Sequence, residues 1–129
     1  MPLASALKVL IADDQQTSRL LIRSALADIG IPNVVMAKDG QEALDLVMKA
    51  PVHLIVSDYH MPKLNGVELL RAVRAHGPTK KSAFFLLTGA EDTAFLKMAQ
   101  ELQVNNYLKK PVSVPELRKK IEAVFGALT

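Results

Sequence analysis

Three carboxylates stand where two apolar runs stop. The run at residues 7–12 ends in Asp13-Asp14, and the run at 54–57 ends in Asp58. Short apolar runs bounded by turn signals read as buried strands. In an open parallel sheet, ligands bind outside the carboxyl ends of the strands, where strand order reverses. If the two strands are neighbours, all three carboxylates converge there. Two unit negative charges ~4 Å apart repel by about 4 kcal/mol at an effective dielectric of roughly 20. A hard divalent cation with a preference for oxygen is the natural partner for such a cluster.

The elements that must carry these residues are readable from periodicity. Strand candidates fall at residues 7–12, 34–37, 54–57, 83–87 and 106–108. Between them lie amphipathic stretches. Ile22, Ala25, Leu26 and Ile29 recur at helical spacing, as do Phe95, Met98, Ala99 and Leu102. Leu117, Ile121, Val124, Phe125 and Leu128 make the last such face. Helix starts carry caps: Asp39 with Glu42, Asn65 with Glu68, and Ser113 with Glu116, each three residues apart. Asp14 is a candidate cap for the first helix as well as a metal ligand. Gly30-Ile31-Pro32 stops the first helix and Gly77-Pro78 the third. Strands alternating with helices imply right-handed crossovers onto a parallel sheet. The third and fourth strands are apolar without alternation, so helices should cover both faces.

Bulk properties exclude several classes. The chain has 129 residues, enough for one domain with a substantial core. There is no cysteine, which removes disulfides, thiolate metal sites and cysteine nucleophiles. No apolar stretch approaches the ~20 residues of a membrane span. The N-terminal apolar run carries Lys8 and leads straight into Asp13, unlike a signal peptide, so a cytoplasmic protein is expected. A net charge of +3 suits a partly basic surface for an acidic partner, not a nucleic-acid stripe. The loop after the first strand, Ala12-Asp13-Asp14-Gln15-Gln16, has no glycine and two negative charges, which disfavours a nucleotide phosphate site.

From Lys8 to Leu128 the sequence resembles the receiver domains of two-component response regulators, in their free-standing, CheY-like form. Asp13-Asp14 matches the acidic pair after the first strand. Residues 37–44 match the second strand-to-helix turn. Asp58-Tyr59-His60-Met61-Pro62, followed by Gly66, matches the segment around the phosphorylated aspartate. Thr88-Gly89 matches the hydroxyl residue and its small neighbour, and residues 107–111 match the switch aromatic and the lysine-proline pair. The resemblance implies an α/β fold: a doubly wound, flavodoxin-like sandwich on a five-stranded parallel sheet of order 2-1-3-4-5. A single receiver domain over residues 1–129, with its core at about 7–128, is expected.

The resemblance also implies roles. Asp58 would be the phosphoacceptor. Asp14, Asp58 and the backbone carbonyl of His60 would ligate magnesium, with manganese as the alternative ion, and Asp13 would act mostly through water. Thr88 and Lys110 would contact phosphoryl oxygens, across a cis Lys110–Pro111 bond. Phosphoryl transfer asks a protein chiefly to position groups and stabilise charge, which these residue types do. Partners would be a sensor histidine kinase or histidine phosphotransfer protein, and a downstream protein on the fourth helix, fifth strand and fifth helix. Thr88 would move toward the phosphoryl group, and Tyr107, otherwise sampling outward positions, would fill the space. The protein would be a monomer, bound to neither membrane nor nucleic acid.

Other readings compete. A phosphate sink without its own output has the same sequence. A magnesium-dependent phosphohydrolase needs a second acid–base aspartate two residues after the nucleophile, where His60 stands. A pseudo-receiver that only binds proteins conflicts with the filled acidic and hydroxyl positions. His53 and His76 read as surface residues. His60 and Ala90 hold positions that vary in the family and tune dephosphorylation. Lys80-Lys81 and Arg118-Lys119-Lys120 read as solvated faces, Met61 and Met98 as packing. The glycine usual before the fifth strand is missing, and Asn105 is the candidate for a left-handed cap.

Overall fold

The computed structural model describes residues 3–89 and 95–129. Ala90 lies outside them. A short 3-10 turn (Ala4–Ala6) leads into β1 (Val9–Ala12), α1 (Gln16–Ile29), β2 (Val34–Ala37), α2 (Gly40–Lys49), β3 (Leu54–Asp58), α3 (Gly66–Ala75), β4 (Ala83–Thr88), α4 (Leu96–Glu101), β5 (Asn106–Lys109) and α5 (Val114–Phe125). The strands form one parallel sheet of order β2-β1-β3-β4-β5. Strand order reverses between β1 and β3, so the predicted convergence point lies there.

Strand parity divides the core into two layers. Val9, Ile11, Leu54, Val56, Phe85 and Leu87 face α1 and α5. Leu10, Ile55, Phe84 and Leu86 face α2, α3 and α4. Phe84 and Phe85 are fully buried on opposite faces of β4, each contributing on the order of 2–3 kcal/mol by area removed from water. That two-sided burial is why β3 and β4 lack alternation.

All three predicted caps form. Asp39 and Ser113 accept from the Glu42 and Glu116 amides, and Asn65 with Glu68 makes a full capping box. Gly30 ends α1 in the left-handed region, φ 97°. The predicted helix faces hold with two exceptions. Met98 is 43% exposed and Val124 37% exposed. The six-residue α4 packs through Phe95 and Ala99, one i,i+4 pair, which turns Met98 outward. On α5, Leu117 and Ile121 make the same kind of pair and leave Val124 at the edge.

The left-handed residue before β5 is Gln103, φ 60°, not Asn105. Asn105 is engaged elsewhere: its Oδ1 accepts from the Phe84 amide at 2.7 Å and from Arg74 at 3.2 Å. Holding that side chain against the start of β4 moves the turn's positive φ two residues upstream.

Candidate functional site

Register brings the acidic residues together. Ala12 pairs with Ser57, so Asp13 and Asp58 come level one step beyond, at the carboxyl ends of β1 and β3. Oxygens of Asp13, Asp14 and Asp58 lie within 4.8 Å of one another. Asp58 pairs with Leu87, and Thr88 pairs with Lys109, so Thr88 and Lys110 occupy the same rim. The chain behind Asp58 folds back sharply. The Gly66 amide donates to the Tyr59 carbonyl at 2.9 Å, and a Cβ on Gly66 would lie 2.5 Å from the Asp58 carbonyl oxygen. No larger residue fits that approach without moving the loop that carries Asp58.

Lys110 crosses the site. Its Nζ lies 2.8 Å from Asp58 Oδ2 and 3.0 Å from Asp13 Oδ2, and the Lys110–Pro111 bond is cis. Burial pulls the Lys110 ammonium down. Hydrogen bonds to Asp58 and Asp13, and their charges, outweigh burial and hold it above the ordinary lysine range. Burial pushes the Asp58 carboxyl above the usual carboxylate range, although the Lys110 hydrogen bond pulls the other way.

The two adjacent aspartates differ in how they are held. Asp13 is fully buried. Its Oδ1 accepts from the Gln15 amide at 3.0 Å, its Oδ2 accepts from the Ser18 hydroxyl, and its carbonyl accepts from Arg19 at 2.7 Å. Asp14 is exposed. The cap position of α1 is Gln15, without a side-chain cap bond, so Asp14 does not cap this helix. Asp13 instead folds over the first turn as an Asx-type turn, because its carboxylate sits two residues before the Gln15 amide. The donor set is carboxylate oxygen only, one carboxylate open to solvent, which fits a magnesium-class cation.

Thr88 is 7% exposed at the end of β4. His60 is exposed at the lip of the site. Tyr107 is half-buried, and its hydroxyl donates to the Leu96 carbonyl at 3.0 Å, at the start of α4. Lys120 of α5 donates to the Tyr107 carbonyl, so its solvated-face reading gives way to a tie between α5 and β5. Tyr59 stacks on Phe95, centroids 3.8 Å apart and planes 8° from parallel, which joins the residue after Asp58 to α4. Sequence reasoning passed over Tyr59, Ser18 and Arg19. Ser18 and Arg19 lie five and six residues after Asp13, a spacing that carries no local signal. His53 is exposed as expected, with its Nδ1 accepting from the Lys8 amide. His76 is half-buried as the cap after α3.

The raised Asp58 carboxyl has a consequence for stability. Below about pH 4 an unfolded aspartate is protonated, and the folded one, raised above it, is protonated too. As the pH rises through the folded-state range, the buried carboxylate must ionise and the fold loses stability. Asp58→Asn lacks that cost. In metal-free urea titrations the variant should match the wild type in acid and exceed it at neutral pH. A gap that shrinks as the pH rises would contradict this account.

Comparison with known proteins gives a consistent answer. The response regulator receiver domain profile matches residues 9–122. The probable chemotaxis protein CheY of Rhizobium etli is 44% identical over 128 residues, 99% of each chain. The chemotaxis protein CheY of Pseudomonas aeruginosa is 35% identical, covering 92% of this chain and 96% of its own. The chemotaxis response regulator CheY4 of Vibrio cholerae superposes with a TM-score of 0.81 at 30% identity, over 92% of this chain and 98% of its own. The receiver domain of AraT from Geobacillus stearothermophilus gives a TM-score of 0.81 at 32% identity, over 92% of each chain. With the strand order, the acidic rim and these likenesses in agreement, the chain belongs to the response regulator receiver domain family.

Proposed function

We propose that this chain is a phosphorylation switch in which Asp58 accepts a phosphoryl group from a phosphohistidine. The observation that carries the reading is Lys110, whose ammonium bridges Asp58 and Asp13 at the sheet's switch point. An Asp58 oxygen attacks phosphorus, the bond to the histidine nitrogen breaks, and an acyl phosphate forms. Lys110, a compact point charge already on Asp58 Oδ2, follows the developing phosphoryl oxygen. Thr88, on the same rim, offers a hydroxyl to a second oxygen. Asp14, Asp58 and the His60 carbonyl would hold magnesium, or manganese in its place; that cation supplies charge screening between the phosphoryl group and the carboxylates. Receiver domains are signalling proteins, and the phosphohydrolase reading is set aside because His60 stands where its acid–base aspartate is needed.

The donors are a sensor histidine kinase or a histidine phosphotransfer protein, and the setting is the cytoplasm. Output runs through α4, β5 and α5. Two links support that route over a bare phosphate sink: the Tyr107 hydroxyl on Leu96, and the Tyr59–Phe95 stack. Lys97, Lys109, Arg118 and Lys119 are exposed there, which suits an acidic partner segment. The active unit is one receiver domain acting as a monomer.

Incubation with acetyl phosphate and magnesium should add one phosphate to the intact mass, and the addition should vanish in Asp58→Asn or with chelator. An adduct that persists in Asp58→Asn sinks the assignment. Beryllofluoride should shift amide signals at Tyr59, Tyr107 and α4. Changes confined to the Asp58 rim would favour the sink.

A further inference from the structure

We propose that Ser18 is a positioning residue for the acidic centre: its hydroxyl holds the Asp13 carboxylate so that Lys110 and a divalent cation share Asp58 without competition from Asp13. The proposal rests on the reading of Asp14 and Asp58 as metal ligands and adds to it a residue of α1. Asp13 is fully buried, and protein donors reach both of its oxygens. Oδ1 takes the Gln15 amide at 3.0 Å. Oδ2 takes two donors, the Ser18 hydroxyl and Lys110 Nζ. The Arg19 guanidinium meanwhile fixes the Asp13 backbone through its carbonyl at 2.7 Å. The first turn of α1 therefore grips Asp13 at its carboxylate and at its main chain, while exposed Asp14 beside it is left to solvent.

Sharing Oδ2 decides the position of Lys110. With Ser18 in place, Lys110 Nζ sits between the carboxylates, 2.8 Å from Asp58 and 3.0 Å from Asp13. Without it, Asp13 Oδ2 loses its second donor, and the carboxylate is held only by the Gln15 amide and Lys110. The cluster then lacks a fixed arrangement for the incoming cation. Partners that orient the ligands of a metal commonly change affinity by about 10–100-fold. Ser18 is half-exposed on a helix, so alanine is tolerated by the backbone.

The test is a magnesium titration followed by amide shifts at Asp14 and Asp58 in wild type, Ser18→Ala, Ser18→Cys and Ser18→Thr. Ser18→Ala and Ser18→Cys should weaken binding about tenfold. Ser18→Thr, which keeps the hydroxyl, should stay close to wild type. In metal-free protein, the Asp13 carboxylate carbon signal should move in Ser18→Ala and not in Ser18→Thr. Wild-type affinity in Ser18→Ala overturns the proposal alone, as does a Ser18→Thr variant as weak as Ser18→Ala, which would point to shape instead of the hydroxyl. A wild-type chain with no magnesium response at Asp14 and Asp58 overturns the metal reading and this proposal with it.

Discussion

Lys110→Met will bind magnesium more tightly than the wild type and yet be phosphorylated about a hundredfold more slowly. Both effects come from one ammonium. In the metal-free protein Lys110 Nζ occupies Asp58 Oδ2 at 2.8 Å, an oxygen the cation would also use. Removing the ammonium removes a competitor, so affinity for the cation rises. It also removes a positive charge poised at the oxygen where phosphoryl charge develops, and loss of one such donor costs roughly 100–1,000-fold in rate. The same change leaves Asp13 and Asp58 facing each other without a shared cation. The metal-free fold should lose on the order of 1–2 kcal/mol, below the cost of breaking a fully buried pair because Lys110 is partly solvated. Magnesium should restore most of that loss. The checks are an NMR titration, a time course of intact mass with acetyl phosphate, and urea unfolding with and without magnesium. Wild-type phosphorylation rates in Lys110→Met would reduce Lys110 to a structural counter-ion.

Arg74→Ala should be among the most destabilising single changes outside the hydrophobic core, at about 3 kcal/mol. All five guanidinium N–H groups are used. Nε donates to the Leu102 carbonyl at 3.0 Å, and Nη1 to Lys80 and Ser82 at 2.9 and 2.6 Å. Nη2 donates to Gln103 at 3.0 Å and to Asn105 Oδ1 at 3.2 Å. One side chain of α3 thus ties the segment before β4 to the turn between α4 and β5. Burial lowers the Arg74 guanidinium from the ordinary arginine range, a cost these bonds offset. Truncation strands several acceptors at once, and hydrogen bonds to charged groups are worth about 1.5–3 kcal/mol net each, less where water reaches the freed carbonyls. Arg74→Lys should recover less than half, because an ammonium with three N–H donors cannot replace a five-donor fork between the two segments. Urea midpoints measure this, and a loss under about 1 kcal/mol would mean that water replaces the clamp.

The elements were legible because their signals are local. The β3 and β4 runs, the α1 face and the three caps each fit within a few residues, and all formed. The acidic rim was legible too, since parallel register forces strand ends together. What escaped was non-local. Nothing near Arg74 announces that its acceptors lie 28 to 31 residues downstream as well as beside it. The turn before β5 was misassigned for the same reason. Asn105 has the chemistry for a left-handed cap, but a contact with Phe84, 21 residues away, claims its side chain. Asp13 and Asp14 look equivalent in sequence, and only the approach of Ser18 and Lys110 tells the buried one from the open one.

The Tyr59–Phe95 stack gives this protein a built-in optical probe. The chain has no tryptophan and two tyrosines. One lies flat on the ring of Phe95, and the other is hydrogen-bonded to the carbonyl of Leu96. The two phenols therefore touch consecutive residues, one each, and no indole outshines them. Excited at wavelengths where phenylalanine does not absorb, an unlabelled sample emits its intrinsic fluorescence from phenols within reach of a single turn of chain. Bulk emission, which in most proteins averages over the whole molecule, is here a local measurement.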